Sequence, residues 1–332
     1  MKKCCFIIPY FGSLPNYFQL FLKSCEYNPD FNWLLFTNDK TPYDYPDNFR
    51  KISMSFSELH SLIQSKFDFP ISLERPYKLC DYKPAYGYIF EEYLKDYKCW
   101  GHCDIDTLMG KISDYVTDEM LNTYDKLFCM GHFIVYKNTY ENNRVFMSEY
   151  NGNYLYKRVF SSPEILVFDE ELINRNNINQ IFIQKGKKVF QEDYSLNISI
   201  FYKQFLRVKF CGVGNGYRNA YLVEPPHSSV CVWSEGKIYR YVKEDNDLVC
   251  EEYMYMHLQQ RRMSYHKSVI NAKYIHILPN AFRSLKKLPI NLSNLKNIKK
   301  STICFHVSRL KMNGYKKRFQ KKINRIIKLC RK

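Results

Sequence analysis

The sequence predicts an α/β protein whose N-terminal part holds a βαβ unit with parallel strands. Three observations lead there. Short continuous apolar runs, each closed by turn-forming or polar residues, alternate with segments of helical spacing. The chain has 332 residues, 45% of them hydrophobic, enough for one large α/β domain or two modest ones with a proper core. No run of about eighteen apolar residues occurs, so nothing reads as a membrane-spanning helix.

The elements follow in order. Cys4-Cys5-Phe6-Ile7-Ile8 is a buried strand stopped by Pro9-Tyr10-Phe11-Gly12. Residues 16–27 place Phe18, Leu22 and Cys25 at helical spacing, and Trp33-Leu34-Leu35-Phe36-Thr37 is a second strand ending in Asn38-Asp39-Lys40. A third strand is expected over 51–56. A helix is expected over 57–67, with Ser57 as its N-cap and Leu59, Leu62 and Ile63 on one face. Residues 86–97 read as a helix, 99–106 as a strand, 112–122 as a helix and 126–136 as one strand. Beyond about residue 140 the alternation is less regular. Helices are expected over 138–149 and 178–185, and short strands over 189–190, 206–210, 230–233, 237–242 and 253–258. Ser234-Glu235-Gly236-Lys237 reads as a hairpin turn.

Charge divides the chain. Of the 50 Lys and Arg residues, 17 lie from Arg283 to Lys332, where no Asp or Glu occurs, which leaves the rest balanced at 33 basic and 33 acidic groups. The expected organisation is therefore a body of residues 1–282 and a basic tail of residues 283–332. Tyr315, Phe319, Ile323, Ile326, Ile327 and Cys330 recur at three- and four-residue spacing among cations. That is a basic amphipathic helix suited to an anionic membrane surface. No nucleic-acid module accompanies it, so nucleic acid is not an expected partner. The twelve cysteines include no Cys-x-x-Cys pair, and the N-terminal apolar run is too short for a signal peptide. A cytoplasmic protein, peripheral on the inner face of the membrane, is expected.

Chemistry concentrates where the strands end. Asp104 and Asp106 flank Ile105 at the end of an apolar run, and residues two apart on a strand share a face. Two adjacent carboxylates repel, and a hard divalent cation neutralises them and binds diphosphate oxygens. A bare Asp-x-Asp also fits a solvated strand end, so its setting matters. In open α/β sheets ligands sit beyond the carboxyl ends of the strands. There Pro9, Tyr10 and Phe11 offer rings to a base, and Asp39 offers acceptors to a base or ribose. Lys78 and Lys83 offer cations to phosphates, with Asp81 to orient them. Neither Gly-x-Gly-x-x-Gly nor a Gly-Lys-Ser/Thr phosphate loop is present, which disfavours a dinucleotide oxidoreductase or a P-loop kinase.

Four segments together carry a resemblance: Ile7-Ile8-Pro9-Tyr10-Phe11-Gly12, Leu35-Phe36-Thr37-Asn38-Asp39, Tyr77-Lys78-Leu79-Cys80-Asp81-Tyr82-Lys83-Pro84-Ala85-Tyr86-Gly87 and Trp100-Gly101-His102-Cys103-Asp104-Ile105-Asp106. With them the chain resembles bacterial GT-A glycosyltransferases, in particular the sugar transferases of capsule, exopolysaccharide and lipopolysaccharide gene clusters. The likeness is close over 4–140, weak over 150–230, and resumes over 253–263. It implies a Rossmann-like mixed sheet flanked by helices, with residues 1–140 as the nucleotide-sugar half and 141–282 as the acceptor side. It implies Mn²⁺ or Mg²⁺ held by Asp104 and Asp106 on the donor diphosphate, with His257 as a further ligand and His102 behind them. A nucleotide-sugar donor, UDP-sugar favoured, and a glycan or lipid-linked glycan acceptor follow. For an inverting enzyme the base comes from Asp169 and Glu170 or from Glu192 and Asp193, Asp169 preferred. His132 is expected to be an ordinary buried strand residue. Two other functions stay open: a GT-A-shaped binding protein without activity, and a metal-dependent phosphoesterase using His102, Asp104 and Asp106.

Overall fold

A computed structural model describes residues 1–298, except 173–175, 203, 213–219 and 260, together with 308 and 312. Strands and helices are numbered along the chain. The main sheet has seven strands: β1 (Lys2–Pro9), β2 (Phe31–Thr37), β3 (Phe49–Ser53), β4 (Tyr97–Cys103), β6 (Lys126–Leu127), β7 (Phe133–Lys137) and β8 (Val189–Phe190), in the order β3-β2-β1-β4-β7-β6-β8. The strands β3, β2, β1 and β4 run parallel, and β7 turns antiparallel against β4 and β6. The protein is thus α/β with a mixed sheet. Both faces of its centre are covered, which is why β1 and β2 are apolar without alternation. Cys5, Ile7, Leu34, Phe36 and Trp100 pack on one face, and Cys4, Phe6, Ile8, Trp33 and Leu35 on the other.

The helix α1 (Phe18–Glu26) lays Phe18, Phe21, Leu22 and Cys25 on the second face. On the first face lies α2 (Phe56–Gln64), through Leu59 and Ile63. Its N-cap is Ser55 rather than Ser57. Glu58 stands three residues after Ser55, and the two exchange the reciprocal bonds of a capping box, which Ser57 has no partner to match.

Three expected elements between residues 86 and 136 are divided in the structure. Residues 86–97 form only α3 (Tyr86–Ile89) and a 3₁₀ turn over Glu91–Tyr93, because Tyr97 already pairs with Lys2 at the start of β4. The apolar run 126–136 becomes two strands, β6 and β7, joined by a loop at residues 128–132. Phe128 takes a left-handed conformation there (φ 70°), a cost of about 1–3 kcal/mol met by packing its ring on Phe133 and Phe190. The run 112–122 gives a 3₁₀ turn over Ile112–Asp114 and then α4 (Asp118–Thr123), and 142–147 is also 3₁₀. The segments α5 (Leu155–Ser161) and α6 (Ile178–Gln184) cover the first face.

The C-terminal half builds separate sheets. The strands β12 (Ser229–Ser234), β13 (Lys237–Glu244), β14 (Asp247–Tyr253), β16 (Tyr274–Leu278) and β17 (Ala281–Leu285) form an antiparallel sheet in the order β14-β13-β12-β16-β17. The hairpin turn at 234–237 lies between β12 and β13 as expected. The run 253–258 does not stay one strand. Tyr253 closes β14, and Tyr255–His257 (β15) enters another sheet between β5 (Thr107–Met109) and β9 (Ser195–Asn197). There β15 runs antiparallel to β5 and parallel to β9. A two-stranded ribbon, β10 (Val208–Phe210) with β11 (Tyr221–Val223), completes the strands. Because β17 spans 281–285, the basic segment begins inside this second sheet. It continues through α7 (Leu292–Leu295). The amphipathic helix expected over 315–332 lies outside the described residues. Among the described residues no helix is long and apolar enough to cross a membrane.

Candidate metal centre and active site

The parallel strands β1, β2 and β4 all end at one edge, and the segments after them carry Tyr10, Asp39 and Asp104. The Tyr10 backbone N–H donates to Phe36 O, so the chain beyond β1 is pinned against the end of β2. Asp104 and Asp106 follow β4 in a turn rather than on the strand, which stops at Cys103. Strand alternation therefore does not aim them. The Thr107 hydroxyl donates to Asp104 O (2.7 Å), the Asp104 N–H donates to His132 O, and the Leu258 N–H donates to Asp106 O. Ile105 between them is buried in the core. The turn, anchored by this apolar residue, sends both carboxylates toward β15.

His257, the last residue of β15, meets them. Its Nε2 lies 3.5 Å from Asp106 Oδ1 and 3.9 Å from Asp104 Oδ2. One ligand atom from each of the three residues falls within 4.8 Å of the others. Adjacent ligand atoms around a small octahedral divalent ion stand about 3 Å apart, so a slight contraction would close this set on one ion. Two carboxylate oxygens and an imidazole nitrogen suit Mn²⁺ better than Mg²⁺, which takes oxygen donors. Burial works against a charge on His257, but Asp106 and then Asp104 outweigh it and raise its pKa above the usual histidine range.

Lys83 borders the cluster. Its Nζ donates to Asp104 Oδ1 (2.8 Å) and Gly131 O (2.7 Å) and lies 3.3 Å from Asp169 Oδ2. Burial disfavours its charge, yet Asp104 and Asp169 more than compensate and keep it protonated. Asp169 is 4% exposed, and burial pushes its carboxyl up to about 7 against the opposing charge of Lys83. A glycine is needed opposite it: a Cβ on Gly131 would stand 2.5 Å from Asp169 Oδ2. Glu170 accepts from the Tyr221 hydroxyl (2.7 Å), and its pKa too is raised by burial.

Other expected site residues have different tasks. Lys78 and Asp81 are 0% exposed and meet each other at 2.7 Å. Lys78 also donates to Val159 O and Glu164 O, and Asp81 accepts from the N–H groups of Leu166 and Phe168. Their charges are consumed inside the protein, so they fasten the segment leading to Asp169 instead of facing a diphosphate. Asp193 is likewise occupied, accepting from Ser195 N and Oγ and from Phe210 N, with Arg207 beside it; no acceptor hydroxyl can reach it as a base. Phe11 is buried edge-on against Phe56 and has no face for a base. Tyr10 remains half-buried at the edge, where burial and the Asp106 charge raise its phenol pKa. Pro9 closes β1, and Asp39 accepts from Thr41 N in the turn after β2.

His102 is buried between Tyr86 and Tyr136, and neither ring nitrogen has a hydrogen-bond partner. Burial and then Lys83 hold it neutral. It does not touch the carboxylates. His132 is buried, as expected, but its ring stacks on His257 at 4.2 Å and its Nδ1 meets the Tyr255 hydroxyl at 2.8 Å. Asn197 and Gln259, which sequence reasoning passed over, also border His257. Their only signal was proximity to a strand whose partner the sequence did not reveal.

The profile of a family of unknown function, DUF6625, matches residues 6–286, and the chain belongs to that family. No protein of curated function matches the sequence.

Proposed function

We propose that the protein is a metal-dependent glycosyltransferase of GT-A architecture. In this reading it moves a sugar from a nucleotide-sugar donor, UDP-sugar favoured, to a glycan or lipid-linked glycan acceptor of bacterial surface polysaccharide. The observation that carries the proposal is the convergence of Asp104, Asp106 and His257 at the carboxyl edge of the parallel strands, the edge where Tyr10 and Asp39 also follow their strands. A divalent cation held there, Mn²⁺ before Mg²⁺, supplies positive charge to the departing diphosphate.

The protein's own groups do the rest. Tyr10 and Asp39 bind the nucleoside, the ring by its apolar face and the carboxylate by accepting hydroxyl protons. Lys83 neutralises Asp104 and Asp169 in the resting protein and holds both carboxylates around its ammonium group. With a pKa of about 7, Asp169 is matched to taking a proton from an acceptor hydroxyl near neutral pH. Glu170 stands next to it with one oxygen engaged by Tyr221. The basic segment from residue 283 onward suits docking at an anionic inner-leaflet surface, where a lipid-linked acceptor resides.

The test is a panel of nucleotide sugars incubated with Mn²⁺, comparing the protein with Asp106→Ala. Metal-dependent transfer or slow hydrolysis of one donor, reduced at least about 100-fold in the variant, is the expected outcome. Absence of binding to every nucleotide sugar, with and without metal, would refute the proposal.

A further inference from the structure

We infer that Asn197 is the positioning residue of the metal centre: it fixes the tautomer of His257 so that Nε2 is the atom presented between Asp104 and Asp106. This rests on the metal-binding reading above and adds to it a device that neither the Asp-x-Asp pattern nor the family assignment contains.

The observation is a chain of three side chains at the end of the small sheet. Asn197 Oδ1 lies 3.1 Å from His257 Nδ1 and accepts from Gln259 Nε2 at 2.9 Å. Asn197 and His257 are opposite residues in the parallel pairing of β9 with β15, so the contact is set by register rather than by a mobile loop. Asn197 is 4% exposed, and a buried amide keeps the partner its site provides. Gln259, two residues beyond the end of the strand, takes a left-handed backbone (φ 51°), unfavourable for a glutamine. That conformation brings its amide back onto Asn197 and aims Asn197 Oδ1 at the imidazole. With the Asn197 oxygen as acceptor, Nδ1 is the nitrogen that keeps its proton, and Nε2, 3.5 Å from Asp106, is the one free to give up its proton to an ion. The His132 ring, 4.2 Å away and itself held by Tyr255, fixes the other degree of freedom, rotation of the ring plane. Partners of this kind on a metal-bound histidine change metal affinity by about 10–100-fold.

The alternative is that Asn197 only fills space beside β15. Two measurements on the full chain separate the cases. Mn²⁺ titration by calorimetry or electron paramagnetic resonance compares the protein with Asn197→Leu, Asn197→Asp and Asp106→Ala. Asn197→Leu keeps the volume, removes the acceptor and is expected to weaken Mn²⁺ about 10–100-fold. Asn197→Asp keeps an acceptor and is expected to stay within about threefold of the parent or to bind more tightly. Equal Mn²⁺ affinity in the parent and Asn197→Leu, with binding lost in Asp106→Ala, overturns the inference and leaves the metal centre standing. No Mn²⁺ binding by the parent overturns both. The second measurement uses a diamagnetic ion, Zn²⁺: ¹⁵N-histidine correlation spectra of the loaded protein report which ring nitrogen of His257 is still protonated. Nδ1–H is expected in the parent, with mixed tautomers in Asn197→Leu; Nε2–H in the parent overturns the inference. Circular dichroism melts show whether each variant is folded, and Asn197→Asp supplies the folded comparison if Asn197→Leu is not.

Discussion

The two halves of the chain build the same site by different means. Residues 1–140 follow one rule, strand then helix, and place their functional groups where parallel strands run out: Tyr10 after β1, Asp39 after β2, Asp104 after β4. Residues 141–285 use short strands that change sheet, and deliver theirs by insertion. The strand β15 slots between β5 and β9 to bring His257, and the segment beyond α5 folds back under Lys83 to bring Asp169. Neither half holds a complete set: Asp104 and Asp106 lack an imidazole without the second, and Asp169 lacks its cation without the first. The site is therefore as stable as the joints between the halves.

One of those joints is the Lys78–Asp81 pair. From one turn of the first half it grips Val159 O, Glu164 O, Leu166 N and Phe168 N of the second. Removing one partner of a buried pair leaves the other charge uncompensated, at a cost of about 3–5 kcal/mol. Lys78→Met is expected to lose that much stability in urea unfolding and to detach Asp169 from Lys83. The same change in an Asp81→Asn background is expected to cost less, because no orphan charge remains. If Lys78→Met melts and unfolds like the parent, the halves are joined elsewhere.

The next largest effect belongs to Asp169. Burial raises its carboxyl to about 7 from an ordinary value of 3.8. The deprotonated form is the base, so kcat/KM of a transferase is expected to climb about tenfold per pH unit below about 7 and level above it. Stability runs the other way. Between about pH 4 and 7 the folded carboxyl binds a proton that the unfolded chain releases, so this group's contribution to stability falls as pH rises through that window. Asp169→Asn is expected to flatten both profiles. A rate limb near pH 7 that persists in Asp169→Asn would assign the base to another group, and Glu170 is the neighbour to test.

How far the sequence could be read tracks the same division. Apolar runs such as Cys4–Ile8 and Trp33–Thr37 announce strands because both faces are buried, and the carboxyl-edge position of Tyr10, Asp39 and Asp104 follows from them. The run 126–136 also reads as one apolar strand, yet it breaks at residues 128–132, and Asp169, which comes within 2.5 Å of where a Cβ on Gly131 would stand, is 38 residues further along the chain. Likewise 253–258 alternates as one strand although Met254 marks a change of sheet. Lys78, Asp81 and Asp193 have the residue types of a phosphate or proton site, but each is also engaged by backbone groups distant in the sequence, which no pattern of side chains records. Asp104 and Asp106 are brought together by a turn, where strand alternation predicts a shared strand face.

The smallest effect sharpens the comparison from the other side. In the first half, Ser55 and Glu58 cap α2, a helix that packs on the sheet face away from α1 and makes no contact with the metal centre. Ser55→Ala removes the acceptor for the Glu58 N–H and leaves one helix-end donor to water. A chain of this length is expected to lose only about 2 °C in Tm from one cap. Mn²⁺ affinity and the pH profile of Asp169 are expected to stay unchanged, because nothing in α2 reaches across to β15 or to Lys83. A shift in either would mean that the first half transmits strain along its sheet to the carboxyl edge. The core cluster that the two halves share on that face would then carry strain between them, as well as the buried pair at Lys78.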